Sequence, residues 1–117
     1  MQTIELAAGS TFSFAGPVSN LPGSVAWGLA ASVRVSGTQV DLDQFATTIA
    51  QAADFETSGN WNVSLTATAA QTAAWAQAAQ NQRGELFFDM KFFNTAAPDP
   101  VLRSDLVKLK LFLPVTP

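Results

Sequence analysis

The chain has 117 residues, no Cys, no His and a net charge of −3. That length holds one domain, 1–117, able to bury roughly two-thirds of its unfolded surface, and the missing residue types exclude disulfides, thiolate or imidazole metal sites and a Cys nucleophile. Six basic residues spread along the sequence make no electrostatic footprint for nucleic acid.

From the N-terminus the chain reads as short strands separated by turn residues. Thr3-Ile4-Glu5-Leu6 is a brief strand ended by Gly9-Ser10, and Thr11-Phe12-Ser13-Phe14 is a second, stopped by Gly16-Pro17. Asn20 to Ser24 form a turn. In the next segment Val25, Trp27, Leu29, Ala31, Val33 and Val35 alternate with small or polar residues. That period of two predicts a strand with one buried face, placed centrally in its sheet. Gly37-Thr38 turns the chain into a segment from Gln39 to Ala53 of mixed character: Thr47, Thr48 and Ile49 favour strand, whereas Asp43-Gln44-Phe45-Ala46 could begin a helix. Strand is the preferred reading, and Asp54 to Gly59 is a loop.

Alternation resumes with Trp61, Val63, Leu65 and Ala67. Thr68 then precedes an Ala-rich run, with Gln71 three residues on, which is the pattern of a capping box opening a short helix over 69–79. After the polar break Gln80 to Gly84, Leu86, Phe88, Met90 and Phe92 take one face of a strand and Glu85, Phe87, Asp89, Lys91 and Phe93 the other. Asn94 to Pro100 is a loop by composition. Val101 to Leu113 reads as one long strand, with Lys108 and Lys110 as gatekeepers against aggregation, ended by Pro114 and Pro117.

Seven or so strands at this spacing with one helical insert predict an all-β fold, an immunoglobulin-like antiparallel β-sandwich; strand count and alternation equally allow a small β-barrel. Trp27 and Trp61 are candidate core anchors in either architecture.

Chemistry-bearing patterns are sparse, and no catalytic, cofactor-binding or metal-binding residue is assigned. Asp89 and Lys91, about 7 Å apart on one strand face, read as a surface ion pair. Ser104 and Lys108 lie about 13 Å apart on a strand, too far for proton transfer. Asp41-Leu42-Asp43 lacks the further oxygen ligands of a calcium loop, and Asn62-Val63-Ser64 matches a glycosylation acceptor only formally. No apolar run approaches the roughly 18 residues of a membrane span, and Met1 to Glu5 lacks the basic start of a signal peptide. The expected location is the cytoplasm, unless a larger particle carries the protein out.

Hydrophobic residues make up 48% of the chain and charged residues 13%, about half the usual charged share. Either the many Ala residues account for this, or the surface is normally covered by copies or neighbours.

The stretch from Trp61 through Thr68-Ala-Ala-Gln-Thr72-Ala-Ala-Trp75, followed by Gly84-Glu-Leu-Phe-Phe-Asp89-Met-Lys91 and a closing strand near Val115-Thr116, resembles small β-sandwich proteins of tailed bacteriophages. The likeness covers about half the chain. It implies a non-enzymatic virion component, made in the host cytoplasm, that forms a homo-oligomer and contacts other phage structural proteins, with no cofactor, nucleic acid or membrane. A tail, baseplate or fibre-attachment adaptor is the leading form, and a capsid decoration protein the alternative. With no shaft or coiled coil after Pro117, a receptor-binding fibre fits less well. Phe87, Phe93 and Phe112, which stand among charged residues on outward faces, are the expected interface, unless the 69–79 helix or the other sheet covers them. A carbohydrate- or peptide-binding sandwich is the further alternative. It would place aromatics in loops, and the turns at 20–24, 37–38 and 94–100 hold none.

Overall fold

The computed structural model describes residues 1–98 and 100–113. Among them, nine strands form two packed sheets. The larger sheet has the order β1 (Gln2–Ala7), β9 (Val107–Phe112), β7 (Glu85–Asn94), β3 (Trp27–Val35), β4 (Asp43–Gln44), with β8 (Val101–Arg103) also paired to β7. The smaller sheet has the order β2 (Phe12–Val18), β6 (Trp61–Ala67), β5 (Ala46–Gln51). The chain is therefore the expected all-β sandwich rather than one closed sheet.

Alternation puts the core where the apolar period places it. Trp27, Leu29, Ala31 and Val33 of β3, Leu86, Phe88 and Phe92 of β7 and Val107, Leu109 and Leu111 of β9 are buried against Trp61, Val63, Leu65 and Ala67 of β6. Phe88 joins the layers at the centre: its ring centroid lies 4.9 Å from Phe45, 6.1 Å from Phe12 and 6.4 Å from Phe14, all with steep interplanar angles. Edge-to-face contacts of this kind add to the area term. The two core indoles also hold a loop, Trp27 donating to the carbonyl of Pro22 and Trp61 to that of Leu21.

Several expectations are corrected. Pairing is not wholly antiparallel, because β1 runs parallel to β9, from Gln2 opposite Val107 to Ala7 opposite Phe112. The turn at Gly9, with φ +84°, sends β2 into the other sheet, so β1 takes its partner from the far end of the chain. Gly16-Pro17 does not stop the second strand; β2 continues through both to Val18. It is an edge strand paired only to β6, where the missing proline N–H is tolerated. β3 is internal to its sheet as expected, between β7 and the short β4, with β7 at the middle of the order. Strand structure in the 39–53 segment begins only at Asp43, and the 54–59 loop contains a one-turn helix, α1 (Phe55–Ser58).

The long terminal strand is broken. Phe88 lies opposite Val107 and Lys91 opposite Arg103, so two residues on β7 face three on the other strand, which makes a bulge. Ser104 fills it: its amide donates to the Met90 carbonyl and its hydroxyl accepts from the Met90 amide at 2.8 Å. The extra residue reverses the phase of alternation, so Leu102 shares a side with Val107 and Leu109. The ending at Pro114 and Pro117 and the Val115-Thr116 pair lie outside the described residues.

Candidate functional site

The helical insert forms where expected, as α2 (Ala69–Ala78), and closes one end of the sandwich. Thr68 and Gln71 make the reciprocal capping box: the Gln71 amide donates to Thr68 Oγ1 at 3.1 Å, and the Thr68 amide to Gln71 Oε1 at 2.9 Å. One turn on, the buried Thr72 hydroxyl donates to the Ser10 carbonyl at 2.7 Å and accepts from the Gly9 amide at 3.1 Å. Another turn on, the Trp75 indole donates to Asp43 Oδ2 at 2.9 Å and meets Phe45 edge-on at 5.1 Å. The indole bond, then the Gln44 amide and the Gln71 side chain, hold Asp43 below the ordinary aspartate range. Thr68 thus starts the helix, while Thr72, Trp75 and the Gln71 side chain dock it onto the β1–β2 turn and β4. Thr72→Val keeps the shape but strands the Gly9 amide, and a loss of about 1–3 kcal/mol is expected in urea unfolding.

The outward face of the larger sheet carries Arg34, Lys91, Arg103, Lys108 and Lys110, all the basic residues but Arg83. Three ion pairs cross it: Arg34–Asp41 at 2.8 Å, Arg103–Asp89 at 3.6 Å and Lys108–Glu85 at 3.8 Å. The expected Asp89–Lys91 pair is replaced by Asp89–Arg103, because β8 puts Arg103 opposite Lys91, within diagonal reach of Asp89. Lys108 turns to Glu85, and Ser104 is used by the bulge. Asp41 and Asp43 diverge: the hydrogen bond from Arg34 keeps Asp41 below the ordinary carboxylate range, while Asp43 points to Trp75. At this exposure such pairs add little stability.

Phe87, Phe93 and Phe112 share this outward side but form no single patch. Phe87 is half-buried beneath Lys108, whose Nζ lies 5.8 Å from the ring centroid. Phe93, six residues along β7 and so about 20 Å away, covers Gly28, where any Cβ would strike the ring. Phe112 is 49% exposed at the opposite end of the sheet. The helix packs on the end of the sandwich and against β9, not over Phe87 or Phe93.

Phe112 belongs to a second feature. A groove of ≈ 640 Å³ runs between α2 and the end of β9, walled by Ala73, Ala76 and Leu111 to Leu113, with Arg83 and Lys110 among its lining residues. Arg83, at φ +57°, stands in left-handed backbone that disfavours residues with a Cβ. Sequence reasoning missed this groove because α2 and β9 meet only in the folded chain. The outward positions of the smaller sheet form a contrasting surface: Ser13, Ala15 and Pro17, Asn62, Ser64 and Thr66, and Ala46, Thr48 and Ala50 carry no charge and no large side chain.

The fold and these surfaces define a β-sandwich capped by one helix, with charge gathered on one outer face. No protein-family model matches the chain, and no curated protein sequence matches it. Among the described residues no cluster of acidic groups could hold a metal ion, and no helix is long and apolar enough to cross a membrane.

Proposed function

We propose that this chain is a non-enzymatic structural component of a tailed-phage particle, a tail, baseplate or fibre-attachment adaptor that assembles through apolar protein contacts. The observation that carries the reading is the set of large apolar side chains left exposed at the two ends of the larger sheet. Val101, Leu102 and Leu106 around the bulge are 43%, 42% and 49% exposed, and Leu113 beside Phe112 is 83% exposed. Apolar groups left exposed beside a charged face suit a protein covered by neighbours in an assembly. Repetition in a symmetric particle turns weak contacts into high avidity. The motif from Thr68 to Trp75 adds support, since its polar residues have defined tasks in this fold: Thr68 caps the helix, and Thr72 and Trp75 dock it. The uncharged outer face of the smaller sheet favours a second reading, a capsid decoration protein lying flat on a shell.

Mass spectrometry of purified particles split into head and tail fractions tests both. Recovery with tails at a few copies supports the adaptor, recovery with heads near the shell protein's stoichiometry supports decoration, and absence from both refutes the virion reading. Within that reading, the doubly substituted Phe87→Ser, Phe93→Ser protein should be incorporated at about a tenth of the normal level or less, since aromatic anchors dominate interfaces. Normal incorporation with an unchanged melting curve would remove those two residues from the interface.

A further inference from the structure

We infer that copies of this chain associate head to tail, the acidic α1 end of one seated in the groove between α2 and β9 of the next. The inference rests on the assembly reading and names one of its contacts. α1 precedes β6 and α2 follows it, so the two features lie at opposite ends of the same strand in a molecule 46 Å long.

The ends differ in charge. Among the described residues, 19–26, 52–60 and 94–98 at the α1 end contain Asp54 and Glu56 and no Lys or Arg. At the α2 end, 8–11, 36–45 and 68–84 contain Arg83 together with Asp41 and Asp43, whose carboxylates are taken up by Arg34 and Trp75. No ion pair of Arg83 or Lys110 is found among the described residues. Lys110 does stand in register between Glu5 and Glu85, so Arg83 is the stronger attractor. A glycine would meet the backbone at Arg83 with less strain, so Arg83→Gly removes the charge without straining the fold. On the other side, Glu56 is exposed, and α1 is held rigid by Phe55, whose ring lies 5.8 Å from Trp61 and covers Gly23. The ordering cost of docking is therefore already met in the free chain. A groove lined by Arg83 and Lys110, neither in an ion pair among the described residues, fits a small tip bearing carboxylates, and the chain itself supplies such a tip, with Asp54 and Glu56 exposed, at its other end.

A contact between two different patches is heterologous, so it repeats into a ring or a stack rather than closing as a two-fold dimer. One patch of this size is weak alone. Association should therefore grow with concentration and fall with salt, as screening shortens the reach of Arg83.

Sedimentation of the purified chain over a concentration series tests this with three proteins. Arg83→Gly, which relieves the backbone, should keep or raise the melting temperature while weakening association about tenfold, and Arg83→Glu should weaken it further. Arg83→Glu combined with Glu56→Arg should restore association to within about threefold of the parent, because the charges are exchanged across the contact. A chain that stays monomeric at all concentrations overturns the inference, as does association insensitive to Arg83 or not restored by the exchange. None of these outcomes depends on particle fractionation, so this contact can fail while the virion reading stands, and the reverse.

Discussion

Gly84→Ala is expected to be the most damaging single-methyl change in the chain, lowering stability by about 3–5 kcal/mol. Gly84 has φ +76°, and a Cβ there would overlap the carbonyl oxygen of Leu111. That obstacle is backbone, which cannot rotate aside as a side chain can. The same residue leads directly into β7 and ties it to two other elements: its amide donates to the Ala79 carbonyl at the end of α2, and its carbonyl accepts from the Leu111 amide at 2.9 Å in β9. Gly37→Ala is the control. Its φ is +85°, but nothing lies within 4 Å of the added carbon, so only the left-handed strain of about 1–2 kcal/mol applies. Equilibrium urea unfolding of both variants decides the matter, and equal losses would show that the approach to Leu111 is looser than described.

Trp75→Ala should lower stability by about 3–5 kcal/mol, the range for emptying an aromatic site. Trp75 is 1% exposed, plugs the end of the sandwich beside Phe45, and supplies the indole N–H that Asp43 accepts. Trp75→Phe separates the two roles. It keeps most of the ring and removes the donor, with an expected loss of about 1–3 kcal/mol at neutral pH.

The pH dependence then distinguishes packing from hydrogen bonding. Asp43 is held below its ordinary value, first by the indole bond. A carboxyl depressed in the folded state adds stability above its unfolded value of about 3.9, and that stability is lost as pH falls through the lower folded value. The gap between the parent and Trp75→Phe should therefore narrow between about pH 5 and about pH 2. A gap that stays constant would assign the whole effect to packing.

Much of the fold was legible because its signals are local. The alternation at Trp27 to Val33, Trp61 to Ala67 and Leu86 to Phe92 placed those side chains in the core. Thr68 and Gln71 marked the helix start because a capping box closes within four residues. The errors fall where a distant partner decides. Pro17 ends nothing because β2 is an edge strand, and Asp89 chooses Arg103 because β8 pairs beside it. A bulge at Ser104 shows in the sequence only as a change in the phase of alternation between Leu102 and Val107, a faint signal that the apolar Leu106 hides.

The candidate surfaces were legible only in part. Phe87, Phe93 and Phe112 were placed on outward positions by strand parity, but parity says nothing of what lies above a residue. Gly28 beneath Phe93 and Lys108 over Phe87 emerge from strand register. The bond from Trp75 to Asp43 spans 32 positions, and no local pattern announces it.

The sequence by itself determined the all-β class, the faces of the main strands and the capped helix, since each depends on spacing within one segment. Only the tertiary structure decided the parallel pairing of β1 with β9, the Trp75–Asp43 plug, the Gly84–Leu111 approach and the groove beside Arg83. Each of these joins segments far apart in the chain, and their meeting is set by how the two sheets pack.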